Sequence, residues 1–290
     1  MRLVSRSHAC QVIFALLCLN FGHASADTRS NGRHMDFAFV LLKKSELPSG
    51  DAIVRNFGVF SADGQTITQL ATKPSDDGTG QLLEFDLSTC GNAFVTLLPV
   101  PVPNGEADEA ARFSISSVGT NWKLPPHAAH LLVTLSGSSK APTTARLSCL
   151  TSLLAAVSKS STAVGIYWGN AGATHDPEFF DSVARSSDLT SRLMLWSGVS
   201  VARESDGRLS LLSLGMKQLE LPDLMLIASK SMKGQDALAT FFDLLAYEAE
   251  RGKPIPEGDT VGRTAEERIP VQYVPSPLDN GKQVWRVEFK

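Results

Sequence analysis

The residues best suited to chemistry lie in the loop "YWGNAGATHDPEFF", which begins at Tyr167. The loop leaves the carboxyl end of a predicted strand and enters a predicted helix. Ligand sites form at such places in α/β sheets, because the helix start offers free backbone N–H groups. We therefore predict a ligand site in this loop. Its aromatic faces and polar tips would come from Tyr167, Trp168, Asn170 and His175.

A purely structural interpretation of the same loop stays open. Trp168 shares a strand face with Val164 and Ile166, so it equally suits a core position. Asp176 stands directly before Pro177, and a cap followed by a first-turn proline is typical of a helix start. On this interpretation the loop starts a helix and binds nothing.

The second conspicuous stretch is "GDTVGRTAEERIPVQYVPSP", residues 258–277. Most of it has a geometric role. Thr264 and Glu267 have the spacing of a capping box, which predicts one helical turn over "AEER" before a strand. Arg263 and Glu266 have no such role. They are either a solvated ion-pair cluster or one wall of a ligand site.

The sequence leaves open whether the protein is an enzyme. It contains none of the nucleophile-elbow, zinc-helix, phosphate-loop or dinucleotide motifs, and we assign no metal and no cofactor. We favour a non-catalytic binding or interaction module of the bacterial envelope. The alternative is a hydrolase in which a histidine and a carboxylate meet in a cleft near the Tyr167–Glu178 loop. Its candidates are His175 or His130 with Glu178, Glu204 or Glu248.

Composition narrows the possible partners. The chain is 43% hydrophobic and 20% charged, which suits a globular protein with a real core. Its formal net charge of −3 offers no basic excess for phosphate groups, so we expect no nucleic-acid partner. The partner is an unknown protein or small molecule.

Residues 1–26 have the layout of a secretory signal peptide: a basic start, an apolar run and a final Ala24-Ser25-Ala26. The apolar run is short for a bilayer span, so we expect no stable membrane span after cleavage. This predicts a periplasmic or secreted protein, with residues 27–35 as a loose segment. If translation instead starts at Met35, the protein is cytoplasmic.

Two cysteines remain after signal cleavage, Cys90 and Cys149. In an oxidising compartment they are able to pair and close a long loop. Two buried thiols are the alternative, since free cysteine packs well beside an apolar helical stripe.

Strands and helices alternate along the chain, but Asp206-Gly207 between two alternating runs indicates a tight hairpin. We therefore predict an α+β fold with mixed or antiparallel sheets and helices packed on one face. Two ferredoxin-like (split βαβ) units in tandem fit this order. The division predicted is an N-terminal α+β unit over 36–125 and a C-terminal α+β unit over 126–290.

Several segments of the second unit resemble a known family. They are "GIYWGNAG", "DGRLSLLSLGM", "FFDLLAYEAERGKPIPEGDTVGRTAEERIPVQYVPSP" and "VWRVEF". The chain is similar, from about His130 to its end and more weakly from Met35, to a bacterial family of uncharacterised proteins with domain of unknown function 4261. The resemblance implies no known activity and no catalytic residue.

Overall fold

A computed structural model describes residues 33–61, 65–74, 81–120, 122–138 and 141–290. The predicted signal peptide, 1–26, lies outside the described residues. So does most of the predicted loose segment 27–35, but its last three residues belong to the first strand.

A seven-stranded sheet occupies the first part of the protein. Its strands are β1 (Arg33–Leu42), β2 (Ile67–Pro74), β3 (Gln81–Leu87), β4 (Gly91–Leu98), β5 (Ala129–Ser138), β6 (Ala163–Trp168) and β7 (Ala173–His175). They lie in the order β2-β3-β4-β5-β1-β6-β7. The side chains of β5 alternate between the two faces of the sheet, with Leu131, Val133 and Leu135 fully buried on one face.

Helices cover both faces of this sheet, although unequally. The α-helices of the described residues are α1 (Gly50–Phe60), α2 (Glu106–Ala110), α3 (Thr143–Lys159), α4 (Pro177–Ala184), α5 (Leu189–Trp196) and α6 (Gly234–Arg251). α1 and α3 contact each other on the face that carries Val40 and Leu131. On the opposite face, Leu41 packs against Val102 and against Ala107 of α2. The expected single helical face is therefore incomplete, because the segment between β4 and β5 folds over the second face.

A five-stranded sheet occupies the second part. Its strands are β8 (Gly198–Arg203), β9 (Leu209–Leu214), β10 (Leu224–Ile227), β13 (Gln272–Pro275) and β14 (Gln283–Glu288), in the order β13-β14-β10-β9-β8. The predicted hairpin at Asp206-Gly207 joins β8 to β9, and Gly207 has the φ of 85° that such a turn requires. β10 pairs with β14 in parallel, so the sheet is mixed.

The α+β prediction is confirmed, with one seven-stranded and one five-stranded sheet in place of two ferredoxin-like units. The first sheet crosses the predicted division between 36–125 and 126–290, because β5 pairs with β4 along its length. His34–Lys290 group into one unit, and a single hydrophobic cluster includes residues of both sheets.

The last helix and a short ladder complete the second part. α6 buries Phe241, Phe242 and Leu245 and ends at Gly252, whose φ is 61°. That left-handed position is the expected glycine stop. Beside α6 lies a two-stranded ladder of β11 (Thr260–Val261) and β12 (Ile269–Pro270).

Cys90 and Cys149 are joined in a disulfide, with their Cα atoms 6.4 Å apart. The bond ties the turn between β3 and β4 to α3, across 59 residues of sequence. Within the ranges that the structure describes, no helix is both long and apolar enough to cross a membrane.

Candidate functional site

The Tyr167–Glu178 loop places its two large aromatic residues on opposite faces of the first sheet. Tyr167 stacks on Phe39, with ring centroids 5.6 Å apart. Trp168 is only 1% exposed, and its Nε1 donates a hydrogen bond to Oε1 of Gln218 at 3.1 Å. The two side chains therefore line no common site, and Trp168 is a core residue, as its strand face had allowed.

The polar tip of the loop is separate from both aromatic rings. Asn170 lies in a 3-10 turn with its side chain exposed. Its carbonyl oxygen and Ala171 press against Gly215, whose φ is +95°, and a Cβ at Gly215 would overlap them. The backbone of this loop therefore packs directly against the backbone at Gly215.

His175 is fully buried, and both of its ring nitrogens form hydrogen bonds within the protein. Its Nδ1 accepts a hydrogen bond from Oγ of Ser114 at 2.7 Å, and its Nε2 donates to the carbonyl of Leu195 at 3.0 Å. Burial lowers the pKa of His175 to about 4, so the ring is neutral at physiological pH. Ser116 extends the network by bonding to Ser114 Oγ and to the Asp176 N–H. This arrangement holds the loop against α5 and the 114–116 turn.

The HxxH pair, His127 and His130, holds one backbone segment. Nδ1 of His130 donates to the carbonyl of Val100 at 2.7 Å, and Nε2 of His127 accepts from the Val102 N–H at 3.1 Å. Burial lowers the pKa of His130. Both histidines therefore fix the chain where it crosses from β4 toward α2.

The carboxylates considered for a hydrolase lie apart from these histidines. Glu178 is exposed at the start of α4, and Glu204 flanks the β8–β9 turn. Glu248 is buried beside Trp285 in the second sheet. In the described part of the chain, neither His175 nor His130 forms a hydrogen bond with a carboxylate.

His34 is the histidine that does contact a carboxylate. Its Nε2 lies 3.0 Å from Oδ1 of Asp36. The other oxygen of Asp36 accepts from Nε of the buried Arg146 at 3.1 Å. Arg146 also donates to the carbonyl of Ala141 and to Thr143, so the cluster ties β1 to the start of α3.

Glu248 is a buried carboxyl with an incomplete set of partners. Its Oε2 accepts from Nε1 of Trp285 at 3.0 Å, whereas its Oε1 has no hydrogen-bond partner among the described residues. Burial raises the pKa of Glu248 to about 8, and nearby Asp223 acts in the same direction. Glu248 is therefore largely protonated at neutral pH, which removes the cost of burying a charge.

The 258–277 stretch has its predicted cap but not its predicted helix. Oγ1 of Thr264 accepts from the N–H of Glu267 at 3.3 Å. The Glu267 carboxylate, however, accepts from the Arg263 N–H at 2.7 Å and from its Nη2 at 2.6 Å, and the segment is a series of bends. Arg263 is thus in an ion pair, while Glu266 is fully exposed on the outside of the turn. The strand predicted to follow is β13, which pairs with β14.

Arg263 also lies on a groove between α6 and β11, which we call the α6–β11 groove. It consists of two adjoining cavities of about 480 and 420 Å³. The first is lined by Ser229, Ser231, Met232, Asp236, Ala239, Thr240, Asp243, Arg263 and Lys290. The second is lined by Thr240, Asp243, Leu244, Tyr247, Thr260, Val261, Gly262, Arg263 and Phe289. These volumes lie in the range of known ligand pockets.

The groove has a partly apolar floor and charged walls, and more of its lining surface is polar than apolar. Thr240, Leu244 and Val261 are nearly buried, and the exposed wall of α6 carries Asp236 and Asp243. Neither aspartate has a salt-bridge partner among the residues that the structure describes. On the other wall, the Arg263 guanidinium lies 4.9 Å from the centre of the Phe289 ring.

Sequence reasoning found Arg263 but missed the wall of α6. The signal was present, because Asp236, Asp243 and Tyr247 recur on the outer face of a helix whose inner face is clearly apolar. An outer helical face is ordinarily a solvated surface, so only the position of β11 identifies it as a groove wall.

The described residues contain no group of three or more His, Cys, Asp or Glu side chains placed to hold a metal ion. Comparison with known proteins gives one match. No curated protein and no solved structure matches the chain. Residues 212–288, which contain most of the groove, match the family model described as domain of unknown function (DUF4261).

Proposed function

We propose that the protein is a non-catalytic binding or interaction module of the bacterial envelope, and that its partner occupies the α6–β11 groove. The observation that carries the proposal is the groove itself. Asp236, Asp243 and Tyr247 are exposed side chains that line one cavity system, and neither aspartate has a salt-bridge partner among the described residues. Binding sites commonly combine apolar surface with polar groups that fix the orientation of the ligand.

The non-catalytic part of the proposal is supported by the histidines. A general base needs a ring nitrogen that reaches the proton it removes. The ring nitrogens of His175 are engaged with Ser114 and Leu195, and the whole side chain is buried. In the Tyr167–Glu178 loop, where the hydrolase alternative would place its cleft, Trp168 and His175 use their ring nitrogens for hydrogen bonds inside the protein.

The envelope location is supported by two independent features. The first 26 residues have the layout of a signal peptide. The disulfide between Cys90 and Cys149 is typical of proteins from oxidising compartments. We expect the mature protein from its native host to begin at Asp27 when its mass is measured. An intact amino terminus at Met35 would contradict the envelope location.

Photocrosslinking tests the groove directly. Ala239, exposed on the groove wall, would be replaced by p-benzoylphenylalanine in the full chain expressed in the native host. The matched control carries the same group at Val201, which is 43% exposed on the edge strand β8. We expect a crosslinked product at position 239 that is absent at 201 and is lost in an Asp243→Arg background. Equal labelling at both positions, or none at 239, would refute a groove-bound partner.

A further inference from the structure

Among the residues that the structure describes, β11 pairs with a strand on one side only, and its other edge is free. In its ladder with β12, Thr260 stands opposite Pro270, and the neighbouring Val271 N–H bonds to the carbonyl of Asp259 at 2.8 Å. Bonded and non-bonded positions alternate along an antiparallel ladder. The N–H and C=O of Thr260 therefore point away from β12, and Pro270 has no N–H to offer them.

The free edge faces the groove. Residues 260–263 line the cavities, whereas no residue of β12 does. The groove thus runs along the side of β11 that β12 leaves open, with α6 as its far wall. From Asp236 to Tyr247 that wall is eleven residues long, or about 16 Å at the helical rise. An extended peptide of about five residues has the same length.

Charge selects the side chains of such a peptide. Asp243 lines both cavities and has no ion pair among the described residues. Arg263 is already neutralised by two contacts of 2.6 and 3.0 Å with Glu267. Lys290 lines only the first cavity, whereas the second contains Asp243, Arg263 and Tyr247, with the Arg251 guanidinium 5.6 Å from the centre of the Tyr247 ring. Asp243 is therefore the carboxylate available to a cationic side chain of the peptide.

We propose that the α6–β11 groove binds an extended peptide that adds to β11 as a strand and places a lysine or arginine against Asp243. The proposal rests on the binding function proposed above and specifies its partner. Strand addition supplies affinity through main-chain hydrogen bonds to Thr260, while alternate side chains supply specificity. One face of the peptide meets the carboxylates of α6, and the other remains in solvent.

The test is fluorescence anisotropy with the mature chain and labelled, terminally blocked decapeptides. The probe alternates lysine with valine. Its matched peptides alternate glutamate with valine, or carry methylated backbone nitrogens at alternate positions of the lysine–valine sequence. We expect saturable binding of the probe, weakened by added salt, and at least tenfold weaker binding of both matched peptides.

Two variants separate charge from strand pairing. Asp243→Asn should weaken probe binding about fivefold, whereas Asp86→Asn, an exposed aspartate on β3, should leave it unchanged. Thr260→Pro removes an N–H that the ladder does not use, and edge strands tolerate proline. It should weaken binding about fivefold without loss of the folded circular dichroism spectrum. If this variant does not fold, the methylated peptide tests the same bond.

Three outcomes would overturn the proposal: no binding of the probe at about 1 mM, equal binding of the glutamate peptide, or equal binding of the methylated peptide. A groove filled by a second copy of the chain would show as concentration-dependent self-association that the probe does not reverse, and would also overturn it. These failures are distinct from failure of the proposed function. A crosslink at position 239 together with no probe binding would mean that the groove binds a partner, but that this partner is not a cationic extended peptide.

Discussion

The Tyr167–Glu178 loop and the α6–β11 groove are opposites in how they use polar groups. In the loop, Trp168 and His175 have hydrogen-bond partners inside the protein and almost no exposure. In the groove, Asp236, Asp243 and Tyr247 are exposed and line a cavity. The sequence of the loop contains more residue types that are suited to catalysis. The groove, however, has exposed polar side chains that are available to a partner.

The difference follows from where each segment lies. The loop joins β6 to α4 at a point where α5 and Gly215 pack on it, so each buried polar atom needs an internal partner. The groove lies between an outer helical face and a strand edge, where water satisfies polar atoms until a ligand displaces it. A residue type suited to catalysis therefore indicates function only when the fold leaves it unsatisfied.

The largest expected effect is a loss of stability from the loop. Trp168→Ala should lower the free energy of unfolding by about 3–5 kcal/mol, because it removes a buried indole and leaves a cavity. Urea denaturation measures the change, and Trp168→Phe, which keeps most of the ring, should cost less. If Trp168→Ala left stability unchanged but abolished partner binding, the Tyr167–Glu178 loop would be the binding site in place of the groove.

His175 should make stability depend on pH. The folded protein holds His175 neutral down to about pH 4, whereas the unfolded chain takes up that proton near 6.5. The unfolded state binds more protons between these values. His175 should therefore lower the free energy of unfolding by about 3 kcal/mol as the pH falls from 6.5 to 4.

The wild-type protein contains opposing groups. Burial raises the pKa of Glu248 to about 8 and that of Asp181 to about 6, so both contribute stability that is lost as the pH rises. The difference between wild type and His175→Gln, from urea titrations at each pH, isolates the histidine. Parallel curves for the two proteins would show that His175 does not titrate as its burial requires.

Breaking the disulfide should lower the stability of the protein without changing probe binding. Reduction of the Cys90–Cys149 bond should lower the free energy of unfolding by about 2–4 kcal/mol, because it releases a long loop in the unfolded chain. The bond joins the β3–β4 turn to α3, whereas the groove lies between α6 and β11, so probe binding below the melting temperature should not change. Calorimetry with and without reductant, with Cys90→Ser as the genetic equivalent, measures both. Loss of binding on reduction would show that the groove depends on the first sheet.

Local signals in the sequence predicted local structure well. Asp176 caps α4 by accepting from the Phe179 N–H, and Asp206-Gly207 turns between β8 and β9. The stop of α6 at Gly252 and the β13–β14 pairing follow equally from nearby residues. In each case the residues that determine the geometry lie within a few positions of one another.

The sequence contained no comparable signal for the pairing of strands that lie far apart along the chain. β10 and β14 pair in parallel across about sixty residues, and β5 joins β4 to form one sheet across the predicted division. The groove depends on such pairings, because β14 and β12 together place β11 beside α6. Arg263 was identifiable as a residue without a structural role, but its counterpart Asp243 was not, since nothing in the sequence places α6 next to it.

The smallest expected effect is at the rim of the groove, where a substitution should change probe binding but not stability. The side chains of Arg263 and Glu267 are 50% and 23% exposed, so their ion pair contributes at most about 1 kcal/mol. Arg263→Gln should therefore hardly change the melting temperature. It should strengthen binding of the lysine–valine probe about two- to fivefold, because it removes a cation from the wall and frees the Glu267 carboxylate. Glu266→Gln, in the same turn but outside the cavities, should change neither quantity. Weaker probe binding in Glu266→Gln would place that carboxylate on the wall of the site and extend the groove into the turn.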